Sequence, residues 1–205
     1  MAKHPAGEDQ ADPGRDDPRP DNELLTLVRT RAYTRSDEPF VLASGGTSYD
    51  YVDMRRALAR GADLKLAARA VIDHLAARRV EYDAIGGMTM GADPVAHAVA
   101  LIADKAWFSI RKGEKNHGNR RRVEGIALEG RHVVLFEDTA STGGSILAAY
   151  EVAVAAGALV AHACVLFDRG DATRAEFAAR SVPYSSLLNY RDLGIEPVVV
   201  HRAGC

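Results

Sequence analysis

Two adjacent acids, followed by small hydroxyl and glycine residues, form the segment best suited to chemistry. In Val133–Ser145, which reads VVLFEDTASTGGS, an apolar stretch runs into Glu137 and Asp138. The loop that follows exposes backbone N–H groups and leads into a helix start, where partial positive charge favours a phosphate. Carboxylates accept hydrogen bonds from sugar hydroxyls. The segment predicts a site for a phosphorylated sugar. The alternative is an ordinary strand-to-helix loop whose acids are solvated.

A basic stretch follows a predicted strand earlier in the chain. Between Arg111 and Arg122 the only acid is Glu114, and the cations are Arg111, Lys112, Lys115, Arg120, Arg121 and Arg122. A cationic loop beside a sugar-phosphate site can neutralise a departing diphosphate and exclude water. The alternatives are a solvated surface loop or a nucleic-acid patch.

Three segments in a fixed order carry a family resemblance. VVLFEDTASTGGS closely resembles the phosphoribosyl-diphosphate signature of type I phosphoribosyltransferases. Phe40–Asp53 (FVLASGGTSYDYVD) and the loop RKGEKNHG, which begins at Arg111, resemble the orotate phosphoribosyltransferase branch. The resemblance covers most of Asn22–Arg169. It implies a type I phosphoribosyltransferase-like α/β fold with a small N-terminal hood.

The resemblance also implies a role for each matching residue on the donor side. Glu137 and Asp138 would contact the ribose hydroxyls, with Mg²⁺ nearby and held mainly by the substrate. The 5′-phosphate would lie against Thr139, Ala140, Ser141, Thr142, Gly143, Gly144 and Ser145. The diphosphate would be held by Met88 and Thr89 of the first glycine turn, Gly86–Gly91, and by Arg111, Lys112, Lys115 and His117. In this family the loop lysine and histidine reach the neighbouring subunit's site, so a homodimer with shared sites is implied.

On the acceptor side the resemblance implies binding of orotate. Tyr51 and Val52 match the hood position that covers the base, Ser141 would be close to both phosphate and base, and Arg169 matches an arginine that pairs with the orotate carboxylate. Glu137, Asp138, Lys115 and His117 would be the catalytic residues. Met90 and Ala43 stand where many relatives have lysine, and Val52 replaces an aromatic residue. Another nucleobase as acceptor, or a regulatory protein that senses the sugar diphosphate, therefore stays open.

Alternating helices and strands must position these residues. Helices are predicted at 22–33, 64–79 with Asp63 as its cap, 93–103, 143–156 and 172–179. Strands are predicted at 40–42, 49–52, 82–85, 106–110, 132–136, 159–167 and 198–201. Short links between alternating elements are typical of an α/β fold with a mostly parallel sheet flanked by helices.

Composition limits the remaining possibilities. A chain of 205 residues, 47% of them apolar, suits one domain at 21–205, with the hood at about 21–60 and a disordered tail at 1–20. The formal net charge of -2 predicts no general affinity for nucleic acid or membranes. Two cysteines, Cys164 and Cys205, and a polar start favour the cytoplasm. His74 is expected at the surface, and Trp107 and Phe108 in the core.

Overall fold

The computed structural model describes residues 22–41, 46–113 and 122–198. In chain order its strands are β1 (Tyr33–Val41), β2 (Thr47–Val52), β3 (Ala84–Met88), β4 (Ala106–Ile110), β5 (Val123–Gly125), β6 (His132–Ala140), β7 (Leu159–Asp168) and β8 (Tyr184–Asn189). Within these residues one six-stranded sheet has the order β5-β4-β3-β6-β7-β8. Its neighbouring strands run parallel, apart from β5 against β4. The predicted α/β class with a mostly parallel sheet is confirmed.

Helices cover both faces of this sheet. They are α1 (Asn22–Leu27, continued by a π-helical turn at Val28–Ala32), α2 (Met54–Ala57), α3 (Gly61–Ala77), α4 (Asp93–Ala103), α5 (Gly144–Ala155), α6 (Ala172–Ala179) and α7 (Tyr190–Leu193). Successive strand residues point to opposite faces. Val134 and Phe136 of β6 therefore pack in the cluster that contains α3 and α4, whereas Val133 and Leu135 pack with α5. Burial on both faces explains why β6 begins as a continuous apolar run.

A two-stranded antiparallel sheet, β1 with β2, forms the hood. The backbone N–H of Asp53 donates to the carbonyl of Ala32 at 3.0 Å, which joins the start of β1 to the end of β2. Arg31 and Asp63 form an ion pair at 2.7 Å between the π-helical turn and α3. The turn predicted at Ser44–Gly46 lies outside the described residues, apart from Gly46.

Three predicted elements, α4, β4 and α6, have the bounds that the sequence pattern indicated. Other bounds were wrong. β6 continues through both acids to Ala140, so Thr139 and Ala140 are strand rather than loop. β3 includes Gly86 and Gly87, and the carbonyls of Phe108 and Phe136 on the neighbouring strands lie so close to them that no side chain would fit. α3 begins at Gly61, and Asp63 lies in its first turn rather than at its cap.

Two short strands and two short helices went unpredicted: β5, β8, α2 and α7. The last strand, predicted at 198–201, is not found at Val198, and its other positions lie outside the described residues. The predicted tail at 1–20 also lies outside them. No helix in the described ranges is long and apolar enough to cross a bilayer.

Two side chains lie in the opposite environment to the predicted one. Trp107 is 40% exposed and contacts His97 edge-on, whereas Phe108 is buried as predicted. His74 is buried, and its Nε2 lies 2.7 Å from the hydroxyl oxygen of Ser185. Nε2 of His162 lies 2.7 Å from the same oxygen. This histidine–serine–histidine cluster connects α3 to β7 and β8.

Candidate active site

A cleft of about 910 Å³ opens at the carboxyl ends of β3 and β6 and is bordered by the hood. Ligands in open α/β sheets bind at this edge. The predicted site residues that line it are Tyr51, Val52, Met88, Thr89, Lys112, Glu137, Asp138, Arg169 and the run Thr139–Ser145. Segments far apart in the sequence are thus brought to one place. Met90 and Gly91 of the glycine turn also line the cleft, together with residues to which the sequence pattern gave no role, namely Val41, Asp53, Met54, Arg55 and Ile146.

The two acids of β6 lie at the floor of the cleft. Glu137 is buried, and its Oε2 has no hydrogen-bond partner among the described residues. Burial raises the pKa of Glu137 to about 8, and the neighbouring charge of Asp138 adds to the rise. Burial also raises the pKa of Asp138, although its Oδ1 accepts a hydrogen bond from the Thr139 N–H at 2.7 Å. A buried, unpartnered carboxyl oxygen at a cleft is an unfilled acceptor for ligand hydroxyls or a cation.

Gly91 packs directly against both acids. A Cβ atom at this position would lie 2.8 Å from Oδ1 of Asp138 and still closer to Oε1 of Glu137. The lack of a side chain at Gly91 lets the loop after β3 approach the acid pair. The sequence pattern showed the glycine turn but not this contact, because the contact depends on how β3 and β6 pair.

The turn Ser141–Gly143 after β6 presents the start of α5 to the cleft. Gly143 caps α5 in a left-handed conformation, with φ of 77°. A side chain there would be strained, and its Cβ would lie 2.9 Å from Oγ1 of Thr173. Unpaired N–H groups and the helix dipole at this end favour a phosphate. Thr139 and Ala140 reach the same wall of the cleft from the end of β6.

The loop after β3 is held by its own side chains. Oγ1 of Thr89 donates to Asp93 at 2.5 Å, and Oγ of Ser109 donates to the other oxygen of Asp93 at 2.6 Å. The hydroxyl hydrogen of Thr89 is therefore engaged within the protein, which leaves its oxygen and the loop backbone to face a ligand. The peptide bond between Thr89 and Met90 is cis, and Met90 is 67% exposed.

The basic loop is described only at its two ends. Lys112 lines the cleft, whereas Arg111 does not and instead pairs with Glu124 of β5 at 3.4 Å. Arg122 donates to the Arg111 carbonyl at 3.1 and 3.2 Å, which closes the base of the loop. The predicted diphosphate ligands Lys115 and His117 lie outside the described residues.

The hood side of the cleft contains a buried cation beside apolar groups. Arg169 is 2% exposed, its Nη2 donates to Oγ of Ser48 at 3.2 Å, and its Nε has no partner among the described residues. Burial lowers the pKa of Arg169, while the charge of Asp50 raises it. The ring of Tyr51 is tilted against that of Phe40, with centroids 5.3 Å apart. The arrangement suits a flat ligand that carries a negative charge.

Comparisons with known proteins agree on one family. The Phosphoribosyl transferase domain family matches residues 64–183. Orotate phosphoribosyltransferase of Streptomyces avermitilis is 41% identical over 180 residues, which cover 84% of this chain and 96% of the relative. That of Corynebacterium glutamicum is 37% identical over 175 residues, which cover 84% and 93%.

Solved structures show the same similarity. The orotate phosphoribosyltransferase of Mycobacterium tuberculosis, crystallised with 5-phospho-α-D-ribosyl 1-diphosphate, superposes with a TM-score of 0.69 at 31% identity, covering 84% of this chain and 98% of that one. The Aeropyrum pernix enzyme gives a TM-score of 0.70 at 30% identity, with coverage of 83% and 99%.

Proposed function

The chain belongs to the orotate phosphoribosyltransferases, and from this premise we propose that its cleft transfers the phosphoribosyl group of 5-phosphoribosyl 1-diphosphate to orotate. The products are orotidine 5′-phosphate and diphosphate, as in pyrimidine biosynthesis. One observation carries the proposal: the acid pair, the start of α5 and the buried Arg169 all face the same cleft. Each of these features matches one part of the two substrates.

The donor binds along the floor of the cleft. Its 5′-phosphate accepts hydrogen bonds from the N–H groups at the start of α5 and from the hydroxyls of Thr139, Ser141, Thr142 and Ser145. Its ribose hydroxyls donate to Glu137 and Asp138. The diphosphate lies toward Met88, Thr89 and Lys112, and Arg111, Lys115 and His117 of the basic loop complete its binding. Arg111 reaches the diphosphate by breaking its ion pair with Glu124. This pair is partly exposed, so it contributes little to stability.

The acid pair also fits Mg²⁺. This ion takes oxygen ligands and is typically bound through one or two carboxylates together with substrate phosphates. The unpartnered Oε2 of Glu137 and the adjacent Asp138 offer such oxygens beside the place of the donor. We propose that Mg²⁺ is held mainly by the substrate, near these two residues. When bound, it supplies positive charge that stabilises the leaving diphosphate.

The acceptor base lies under the hood. Tyr51 and Val52 cover its face, Ser141 lies beside it, and the guanidinium of Arg169 neutralises the carboxylate of orotate. Met90 occupies a place where many relatives have lysine, so the basic loop supplies more of the positive charge around the diphosphate. Arg169 favours orotate over nucleobases without a carboxylate.

The reaction needs no covalent intermediate with the protein. The bond from the anomeric carbon to the diphosphate oxygen breaks, and its electron pair leaves with the diphosphate. The base nitrogen then donates its electron pair to the oxocarbenium-like carbon and releases its proton to water or to the diphosphate. Catalysis comes from positioning, neutralisation of the leaving group and exclusion of water.

We propose that the active unit is a homodimer in which Lys115 and His117 act in the partner's site. An apolar surface on α4 and β4 supports this proposal: Leu101 is 85% exposed and lies one turn from His97, which contacts the exposed Trp107. Exposed apolar side chains on neighbouring elements are typical of interaction sites.

The remaining assignments extend the same proposal. Residues 21–205 act as a single phosphoribosyltransferase domain whose hood is formed by residues from about 21 to 60. We place the protein in the cytoplasm, where a free thiol such as that of Cys164 stays reduced. Nucleic acid and membranes are not among its expected partners.

A panel of bases tests the function. Purified protein with 5-phosphoribosyl 1-diphosphate and Mg²⁺ is expected to release diphosphate with orotate, and not with uracil or hypoxanthine. Asp138→Asn is expected to lower kcat/KM by about 10- to 100-fold because a ribose contact is lost. Turnover with uracil or hypoxanthine but not orotate would contradict the assigned acceptor.

A further inference from the structure

Ser48 in β2 has a hydroxyl hydrogen whose direction is restricted by two other bonds. Its Oγ accepts a hydrogen bond from the Asp50 N–H at 3.1 Å and another from Nη2 of Arg169 at 3.2 Å. A serine oxygen has two lone pairs, so both are engaged. The hydroxyl can still donate one hydrogen bond, and the described residues supply no acceptor for it. The donor must point away from Asp50 N and from Arg169 Nη2.

Arg169 beside it has several donors to spare. Of its five N–H groups the described residues engage one, through Ser48, and the buried Nε–H has no partner. No carboxylate in the described residues bonds to this guanidinium. A serine O–H and an arginine fork lie side by side here, and the arginine lines the cleft. They are two kinds of donor from which one carboxylate can accept.

Asp50, the acid whose charge raises the pKa of Arg169, is hydrogen-bonded to other groups. Oδ1 of Asp50 accepts hydrogen bonds from the Tyr33 hydroxyl at 2.7 Å and from Arg35 at 3.0 Å. Asp50 therefore forms its ion pair with Arg35 and acts on Arg169 only through its charge, without a hydrogen bond to it in the described residues. One monoanionic group on the ligand would balance the buried charge of Arg169, as buried charges require.

We propose that Ser48 is a specificity-determining residue, whose hydroxyl donates to the same ligand carboxylate that Arg169 neutralises. The inference rests on the proposed function, because orotate is the substrate that brings this carboxylate. It adds to Arg169 a neutral donor that distinguishes a carboxylated base from an uncarboxylated one. Rejection of the wrong base follows, since a base without the carboxylate leaves both donors unpaired.

Equilibrium binding of two products tests the proposal without relying on turnover. Orotidine 5′-phosphate carries the carboxylate and uridine 5′-phosphate lacks it, and both are titrated calorimetrically into wild type, Ser48→Ala and Thr47→Ala. Thr47 precedes Ser48 on β2 and is exposed, whereas the side chain of β2 that bonds to Arg169 is that of Ser48. Ser48→Ala is expected to weaken the binding of orotidine 5′-phosphate about ten-fold, which is the effect of losing one hydrogen bond to a charged group. The affinity for uridine 5′-phosphate is expected to stay unchanged. Thr47→Ala is expected to match wild type with both.

A second comparison separates direct contact from bracing of Arg169. Ser48→Ala is repeated in the Arg169→Ala background, where a residue that acts only through Arg169 has no further effect. A further loss of orotidine 5′-phosphate affinity supports direct contact, and the absence of any further loss overturns it. Equal weakening of both nucleotides by Ser48→Ala also overturns it. If wild type itself binds the two nucleotides equally, the proposed acceptor is wrong, which is a different result from a failure at Ser48.

Discussion

Gly91 shows how one missing side chain shapes the acid pair. Its Cα lies so close to Glu137 and Asp138 that a methyl group would displace their carboxylates. Those carboxylates are the groups expected to hold the ribose, so the requirement for glycine concerns activity more than folding. Ser48 and Arg169 form a similarly local arrangement on the opposite, hood side of the cleft.

Replacing Gly91 with alanine is therefore expected to impair the reaction. Gly91→Ala should lower kcat/KM for 5-phosphoribosyl 1-diphosphate by about 10- to 100-fold, because displaced acids no longer match the sugar. Its unfolding midpoint in urea should stay close to that of wild type. Gly61→Ala is the matched control, since a Cβ there meets nothing within 4 Å. Full activity in Gly91→Ala would show that the acids need not stay in place.

Such contacts could not be predicted from the sequence. The motif around Glu137 and Asp138 predicted the chemistry because the acids and the phosphate loop are adjacent in the chain. Gly91 meets the acids only through the pairing of β3 with β6, and Ser48 meets Arg169 only because the hood lies against the end of β7. The role of Arg169 was predicted from the family resemblance, whereas the hydrogen bond from its side chain to Ser48 became visible only in the structure.

At the scale of elements, the cluster of His74, Ser185 and His162 has a defined order of protons. Nη1 of Arg78 lies 3.2 Å from Nδ1 of His74, and arginine can only donate, so that nitrogen accepts. Nε2 of His74 then donates to Ser185, whose hydroxyl donates to His162. His162 is held neutral, and burial lowers its pKa to about 4. Three elements, α3, β7 and β8, thus depend on an uncharged histidine.

This cluster predicts an acid-dependent loss of stability. The folded pKa of His162 lies below its unfolded value of 6.5, so its contribution is present above pH 6.5 and is lost as pH falls through about 4. The loss is on the order of 3 kcal/mol in the free energy of unfolding. His162→Gln should show a smaller decrease over this range in urea titrations at several pH values. Parallel curves for both proteins would contradict the prediction, and His132→Gln, at an exposed position, is the control.

Predictability also differed among elements. The bounds of α4 and β4 were predicted because Pro94 marks the helix start and a compact apolar run marks the strand. β8 was missed because its sequence, YSSLLN, lacks a clear alternation. The prediction that His74 lies at the surface was wrong, because its partner Ser185 is 111 residues away in the sequence. A polar residue on a helix is expected at the surface unless such a partner is known.

At the scale of the whole molecule, the proposed dimer makes each site depend on two chains. The acids, the phosphate loop and Arg169 come from one subunit, and Lys115 and His117 come from its partner. The fold class followed from the order of helices and strands alone. The assembly could not follow from it, because exposed Leu101 and Trp107 are recognised as a surface only when α4 and β4 are packed together.

Mixing two impaired variants tests this arrangement. Lys115→Ala and Asp138→Asn should each be impaired alone, while a refolded one-to-one mixture should recover about a quarter of wild-type activity. Half of its dimers are mixed, and one of the two sites in each mixed dimer is intact. Asp138→Asn mixed with Arg169→Ala is the control and should recover nothing beyond its components, because both residues belong to the same chain's cleft. Lack of recovery in the first mixture would argue for sites built from one chain.

The burial of Cys164 in the central sheet has a practical consequence. Its thiol is fully enclosed, and burial raises its pKa to about 12, so the native protein should resist alkylation at this position. In a Cys205→Ser background, the rate of alkylation of Cys164 measures how often the sheet opens around this residue. Saturating orotidine 5′-phosphate should lower the rate of alkylation, because ligand binding stabilises the folded form in which the thiol is enclosed. Alkylation as fast as that of an unfolded peptide would show that β7 is not enclosed in solution.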